Sequence, residues 1–125
     1  MEIQELENIR FFASEQGGLS GPIPSEYGNL QSLLLLDFDF NDLSGPLPDS
    51  LWTLSQMRQL DLNDNAFTGT LATEIGNMSQ LQFFQIDNND LQGNIPSEVG
   101  GIPNMCKIFK YISVVRFYVK VPCFS

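Results

Sequence analysis

A chain with no histidine carries carboxylates at a fixed interval. Asp37 and Asp61 lie 24 residues apart, and Glu15 and Asp39 are separated by the same step, which Asn63 and Asp87 continue. Side chains of this kind can do three things. A pair can share acid–base work if a cleft raises one pKa. Several can bridge divalent cations, or they can present a negative face to a basic partner. Nucleophilic catalysis has little to stand on, because without histidine the usual base for a Ser or Cys nucleophile is missing. There is no His or Cys cluster to hold zinc and no Gly-rich phosphate loop. The sequence therefore implies neither an enzyme nor a cofactor or resident metal. A net charge of −9 argues against nucleic acid as a partner.

The interval belongs to the whole chain. From Leu6 onward the sequence divides into four 24-residue units, 6–29, 30–53, 54–77 and 78–101, after a short leading segment, 1–5. Seven columns of the unit are apolar in every copy but one, Ser14. The seventh column reads Phe12, Leu36, Leu60, Phe84, and the ninth Ser14, Phe38, Leu62, Ile86. Asn41, Asn65 and Asn89 occupy the twelfth, where an amide that both donates and accepts can pair buried backbone groups of adjacent coils. Gly21, Gly45, Gly69 and Gly93 fill the sixteenth without interruption, which implies a positive φ or a backbone approach that a Cβ would block. Pro24, Pro48 and Pro96, with Ala72 as the exception, suit an extended nineteenth position whose N–H is not needed.

"LQSLLLLDFDFNDLSGPLPDSLWT" resembles the plant-type leucine-rich repeat, LxxLxxLxLxxNxLxGxIPxxLGx, and the resemblance covers residues 6–101. It implies an α/β-type repeat solenoid: a right-handed leucine-rich repeat with a concave parallel β-sheet and short strands, turns and 3-10 segments on the convex side. Similar arrays occur in plant and algal receptor-like proteins and kinases and in polygalacturonase-inhibiting proteins. A role in recognising a protein or peptide follows from the resemblance, as the ectodomain segment of a signalling receptor-like protein at the cell surface, any kinase or membrane anchor lying outside this chain. The alternatives are a secreted inhibitor of a cell-wall-degrading glycan hydrolase and coils that only space other coils.

Residues 102–125 change character. Only Ile102, Met105 and Ile108 keep the register, and the segment holds four basic residues and no acid. Two readings stand: a degenerate C-terminal cap in which Tyr111, Val114 and Phe117 cover the last coil, or non-homologous sequence. The segment is too short and too often interrupted by charge to span a membrane. Two readings of Cys106 and Cys123 stand: a disulfide, which an extracellular setting would allow, or two unpaired thiols. Asn77-Met78-Ser79 is a glycosylation sequon at an expected exposed turn, and with the family it points to an extracellular location. The amino end carries no secretory leader and none of the family's cysteine-paired cap, so the chain reads as a fragment of a longer array.

Strand alternation assigns the faces. Columns seven and nine point inward, so columns six, eight and ten point outward on the concave side. They place Phe11, Leu35 and Phe83 in an apolar stripe beside Glu15, Asp37, Asp39, Asp61, Asn63, Gln85 and Asp87. Like charges facing one another across a sheet are destabilising. Such a pattern marks either a groove for a basic or amphipathic peptide, with divalent bridging as a variant, or a solvated acidic face. The aligned apolar residues favour a contact site. On an open sheet no cleft is expected to raise a carboxyl pKa. Four strands offer a face of roughly 300 Å², against ~800 Å² per partner in a standard interface.

Overall fold

A computed structural model gives the fold, and the residues it describes are 8–103, 105 and 107–109. Cys106, Cys123 and the expected cap residues Tyr111, Val114 and Phe117 lie outside this range. The backbone winds through two stacks of short parallel strands. One stack holds β1 (Phe11–Ala13), β3 (Leu35–Asp37), β5 (Gln59–Asp61), β7 (Phe83–Gln85) and β8 (Lys107–Phe109), hydrogen-bonded in that order. The other holds β2 (Ser20–Gly21), β4 (Asp42–Pro46) and β6 (Ala66–Thr68). Every partner in the first stack lies 24 residues along the chain: Phe12 faces Leu36, Leu36 faces Leu60, Leu60 faces Phe84, and Phe84 faces Ile108. This is a leucine-rich-repeat solenoid, and the register is the sequence period made physical.

Each coil closes through a 3-10 turn, at Ser25–Asn29, Asp49–Thr53, Thr73–Asn77 and Ser97–Gly101. Pro24, Pro48, Ala72 and Pro96 enter these turns in extended conformation, where a missing N–H costs nothing. The turns stack closely. A Cβ on Gly28 would come within 2.5 Å of the Ser50 Cβ, so that contact excludes any larger residue. Gly45 shows why the other glycine column is unbroken: its φ is 76° and its nearest neighbour leaves room for a Cβ, so the constraint is conformational.

The core runs along the solenoid axis between the two stacks. Leu36, Leu60 and Phe84 from column seven, and Leu62 and Ile86 from column nine, are fully buried. Each such side chain contributes about 1.5–3 kcal/mol relative to an exposed one. Phe12, Tyr27 and Phe38 meet edge to face, with centroids 5.4–5.9 Å apart, at the amino end of this core. Ser14 leaves column nine small in the first coil, and Phe38 from the next coil packs in this aromatic cluster.

The asparagine column ties coil to coil. The Asn65 carbonyl accepts from the Leu43 N–H at 3.0 Å, while its amide donates to the backbone oxygens of Phe38, Leu62 and Asn63 at 2.8, 3.3 and 3.2 Å. Asn41 and Asn89 repeat this arrangement, accepting from the N–H groups of Leu19 and Phe67 and donating to Ser14 and Leu62 one coil back. Backbone groups that no regular strand partner reaches are thereby satisfied.

Candidate functional site

The outward face of the five-stranded sheet collects the residues singled out by the column reading. At column six Phe11 is 65% exposed, Leu35 half-buried beside it, and Phe83 is 37% exposed. Phe11 pairs with Leu35 in register, but Gln59 lies between Leu35 and Phe83. The apolar stripe is thus a pair and a separate ring. Gln59 turns towards column eight, where its Nε2 donates to Asp61 Oδ2 at 2.7 Å. Lys107 takes the register position after Phe83.

The acidic columns are less open than alternation alone suggests. Glu15 is exposed, Asp39, Asp61, Gln85 and Asp87 are half-buried, but Asp37 and Asn63 retain only 9% and 8% of their surface. The expectation that Asn63 points freely into solvent is therefore corrected. Strands about 4.8 Å apart flank a short side chain on both sides, so an outward direction does not guarantee water. Asp37 Oδ1 also accepts from the Asp39 N–H at 3.1 Å, which folds that carboxylate back onto its own strand. Asn63 donates from Nδ2 to Asp64 Oδ2 at 2.9 Å.

Burial has electrostatic consequences. Asp39 is pushed up to about 6, first by desolvation, then by the charge and hydrogen bond of Asp37 and by the charges of Glu15 and Asp61. Desolvation raises Asp61 as well, opposed by the Gln59 hydrogen bond and reinforced by Asp37, Glu15 and Asp87. Asp87 is raised chiefly by burial. The open sheet does raise carboxyl pKa values, contrary to the sequence-based expectation, because neighbouring strands supply the burial that a cleft would. Three side-chain oxygens on this face, Asp39 Oδ1, Asp61 Oδ1 and Asn63 Oδ1, are buried without a hydrogen-bond donor.

Column periodicity misses one residue. Phe40, in column eleven at the end of the concave strand, is 52% exposed and holds φ at 51°. Its counterparts Gln16, Asp64 and Asn88 share that conformation, with φ of 50–54°. Asn and Asp tolerate the left-handed region far better than an aromatic residue. The available signal was compositional: Phe40 is the one apolar entry in an otherwise polar column. Among the other assigned positions, Asn77 is exposed at the end of its 3-10 turn.

The sequence matches the Leucine Rich Repeat family over residues 32–54 and 56–78. No curated protein sequence matches the chain. Among solved structures, it resembles the LRR ectodomain of the plant membrane receptor kinase GASSHO1/SCHENGEN3 from Arabidopsis thaliana, in complex with CASPARIAN STRIP INTEGRITY FACTOR 2. That likeness has 28% identity and a TM-score of 0.80, over 82% of this chain and 12% of the receptor chain. The ectodomain of the Arabidopsis receptor kinase HAESA, in complex with an IDA peptide hormone ligand, is 37% identical with a TM-score of 0.69, over 72% of this chain and 15% of that one. A plant ice-binding protein is 29% identical with a TM-score of 0.75, over 81% and 33%. The chain thus spans a third or less of the length of these three. Among the described residues no helix is long and apolar enough to cross a membrane. With its 24-residue register, asparagine ladder and glycine column, the chain is a leucine-rich repeat protein of the plant type.

Proposed function

We propose that the chain is a protein- or peptide-recognition module, a segment of the extracellular part of a receptor-like protein, that engages its partner through the concave sheet. The observation that carries this reading is the exposure of Phe11 and Phe83 on a sheet face that also carries the carboxylates Glu15, Asp39, Asp61 and Asp87. An aromatic ring at a face of this kind gains by being covered, and aromatic anchors dominate interface energies. The flanking carboxylates favour a partner that is basic or amphipathic and steer its approach. Two of the structurally similar receptors are held in complex, one with a factor and one with a peptide hormone.

A random peptide library displayed on phage and selected on the full chain tests the reading. Enriched peptides should carry basic and apolar residues. Phe11→Ala and Phe83→Ala should each weaken a selected peptide by roughly 1–3 kcal/mol, with little change in melting temperature. Asp61→Asn should mainly slow association, an effect that fades at high salt. Spacer coils would give no enrichment. If selected peptides bind both aromatic variants as tightly as the parent, the concave face is not the recognition surface.

A further inference from the structure

We propose that residues 110–125 of this chain fold back over the concave sheet, their cations meeting its carboxylates and their apolar side chains covering its exposed rings. The inference rests on the recognition reading in taking the concave face as the contact surface, but the partner here belongs to the same molecule.

The rules of the coil argue against a fifth turn of the solenoid. Carried past Phe109, the 24-residue register puts Lys110 in column nine, where Leu62 and Ile86 are fully buried. A lysine there would bury an unpaired charge. The same register puts Phe117 in column sixteen, where Gly21, Gly45, Gly69 and Gly93 hold φ of 76–80°. That conformation is disfavoured for an aromatic residue. Ser113 stands where Asn65 ties its coil to the one before, and Lys120 where Pro48 enters a 3-10 turn. The segment after β8 therefore lacks the residues that wind a coil.

Its chemistry complements the face. Apart from Arg10 and Arg58, every basic residue of the chain lies at 107 or beyond, and residues 110–125 contain no acidic side chain. Lys110, Arg116 and Lys120 are all even-numbered, so an extended segment turns all three to one side, with Ile112 and Val114 between them. The segment is rich in β-branched and aromatic residues, which favour that extended form. On the sheet, carboxylates flank the rings of Phe11 and Phe83, 65% and 37% exposed. Asp39 Oδ1, Asp61 Oδ1 and Asn63 Oδ1 are buried there without a donor. Lysine and arginine side chains bring donors only.

Reach agrees with charge. The segment begins where β8 ends, at one end of the five-stranded sheet, with Phe109 beside Gln85. Four strand steps of ~4.8 Å, about 19 Å in all, separate β8 from β1. Six residues of extended chain, from Lys110 to Arg116, span about 20 Å. A segment crossing the strands thus passes Phe83, one step away on β7, and brings Arg116 to the far end beside Glu15 and Asp39.

Zero-length carbodiimide coupling of the full chain, read by peptide mass spectrometry, tests the contact without any added ligand, because it joins a lysine only to a carboxylate that it touches. Lys110 starts beside the sheet, so Lys120 is the informative residue. Its couplings to Glu15 and Asp39 should outnumber those to Glu26, Glu74 and Glu98, exposed on the 3-10 turns, by about tenfold, as a tethered contact raises the effective concentration. They should fall at high salt, and Arg116→Glu, which leaves residues 6–101 untouched, should abolish them. In a mixture of nitrogen-15-labelled and unlabelled chains, each coupled pair should carry a single label state. Mixed-label pairs would overturn the proposal and assign the face to a second copy. Couplings to the turn acids as frequent as those to Glu15 and Asp39 would overturn it too, and so would couplings that Arg116→Glu leaves unchanged. Peptide enrichment without these couplings would sink this proposal alone. Couplings without enrichment, even on Arg116→Glu, would sink the recognition reading alone.

Discussion

Removal of one ladder amide, Asn65→Ala, should destabilise the solenoid by about 2 kcal/mol, and the hydrogen bonds show where that figure comes from. Three backbone oxygens lose a donor, but each keeps another. Phe38 O retains Asn41 Nδ2 at 3.0 Å, Leu62 O retains Asn89 Nδ2 at 2.9 Å, and Asn63 O retains the Phe40 N–H at 3.3 Å. The Leu43 N–H loses the acceptor that Asn65 Oδ1 gives it, and an orphaned donor of this kind costs about 1–3 kcal/mol. Asn89→Ala should cost more, because the Phe67 N–H it strands belongs to a fully buried residue. Two controls bracket the effect. Asn77→Ala, at an exposed turn, should stay within about 0.5 kcal/mol. Asn63→Ala should be equally mild despite its burial, because it removes an oxygen that is already unpaired. Urea unfolding of the four variants under one buffer condition measures the order directly. Equal losses for Asn63→Ala and Asn65→Ala would refute the reasoning, since the cost would then track burial and not the stranding of a donor.

Two further outcomes follow from the concave face and its rim. Phe40→Asn should stabilise the fold by about 1 kcal/mol in chemical unfolding, because φ of 51° suits Asn far better than Phe; a loss of stability would mean that the ring makes a contact worth more than its strain. Acid should stabilise the chain before it unfolds it. The Asp39 carboxyl titrates from 3.8 unfolded to about 6 folded, so the folded state binds more protons between those values. Its contribution is fully present below the unfolded value and is lost as pH rises through the folded one. With Asp61 and Asp87 raised in the same direction, the melting temperature should climb as pH falls from 7 to 5. Asp39 should supply about 1 kcal/mol of this after allowance for solvent screening, so Asp39→Asn should flatten the climb; a melting temperature that falls steadily over that range would contradict the electrostatics described.

The parts of this molecule that were legible in its sequence are those on which the period acts directly. Leu36, Leu60 and Phe84 are buried because a 24-residue step superimposes them, and any reading that finds the step finds the core. Asn65 was legible for a similar reason: a polar residue that recurs among apolar columns must satisfy something in the next coil. Depth on the outer face was not legible. Alternation tells Asp37 and Ala13 to point the same way, yet Asp37 is buried and Ala13 exposed, because Ala13 sits on the edge strand and Asp37 has a neighbour on each side. Asn63 repeats the point. Nor could a column rule foresee that Gln59 bends towards Asp61 and so breaks the apolar stripe, since that bond joins two residues of the same strand. Phe40 escaped because its exposure follows from a backbone torsion, which composition signals only through its polar counterparts.

Area decides how far the concave face alone can serve recognition. Five strands at ~4.8 Å, each contributing about five residues at ~3.3 Å, make a surface of about 400 Å². A standard interface covers ~800 Å² on each partner. A partner centred on Phe11 and Phe83 therefore has to extend past the sheet, and at the ends of the concave strands the next exposed apolar side chain it meets is Phe40. This gives the strained aromatic a role that stability does not: the residue whose torsion costs about 1 kcal/mol keeps 52% of its surface exposed. Binding of a selected peptide to Phe40→Asn distinguishes the two accounts. Weaker binding by a more stable protein would assign Phe40 to the contact surface, whereas unchanged binding would confine recognition to the sheet and leave Phe40 as strain without return.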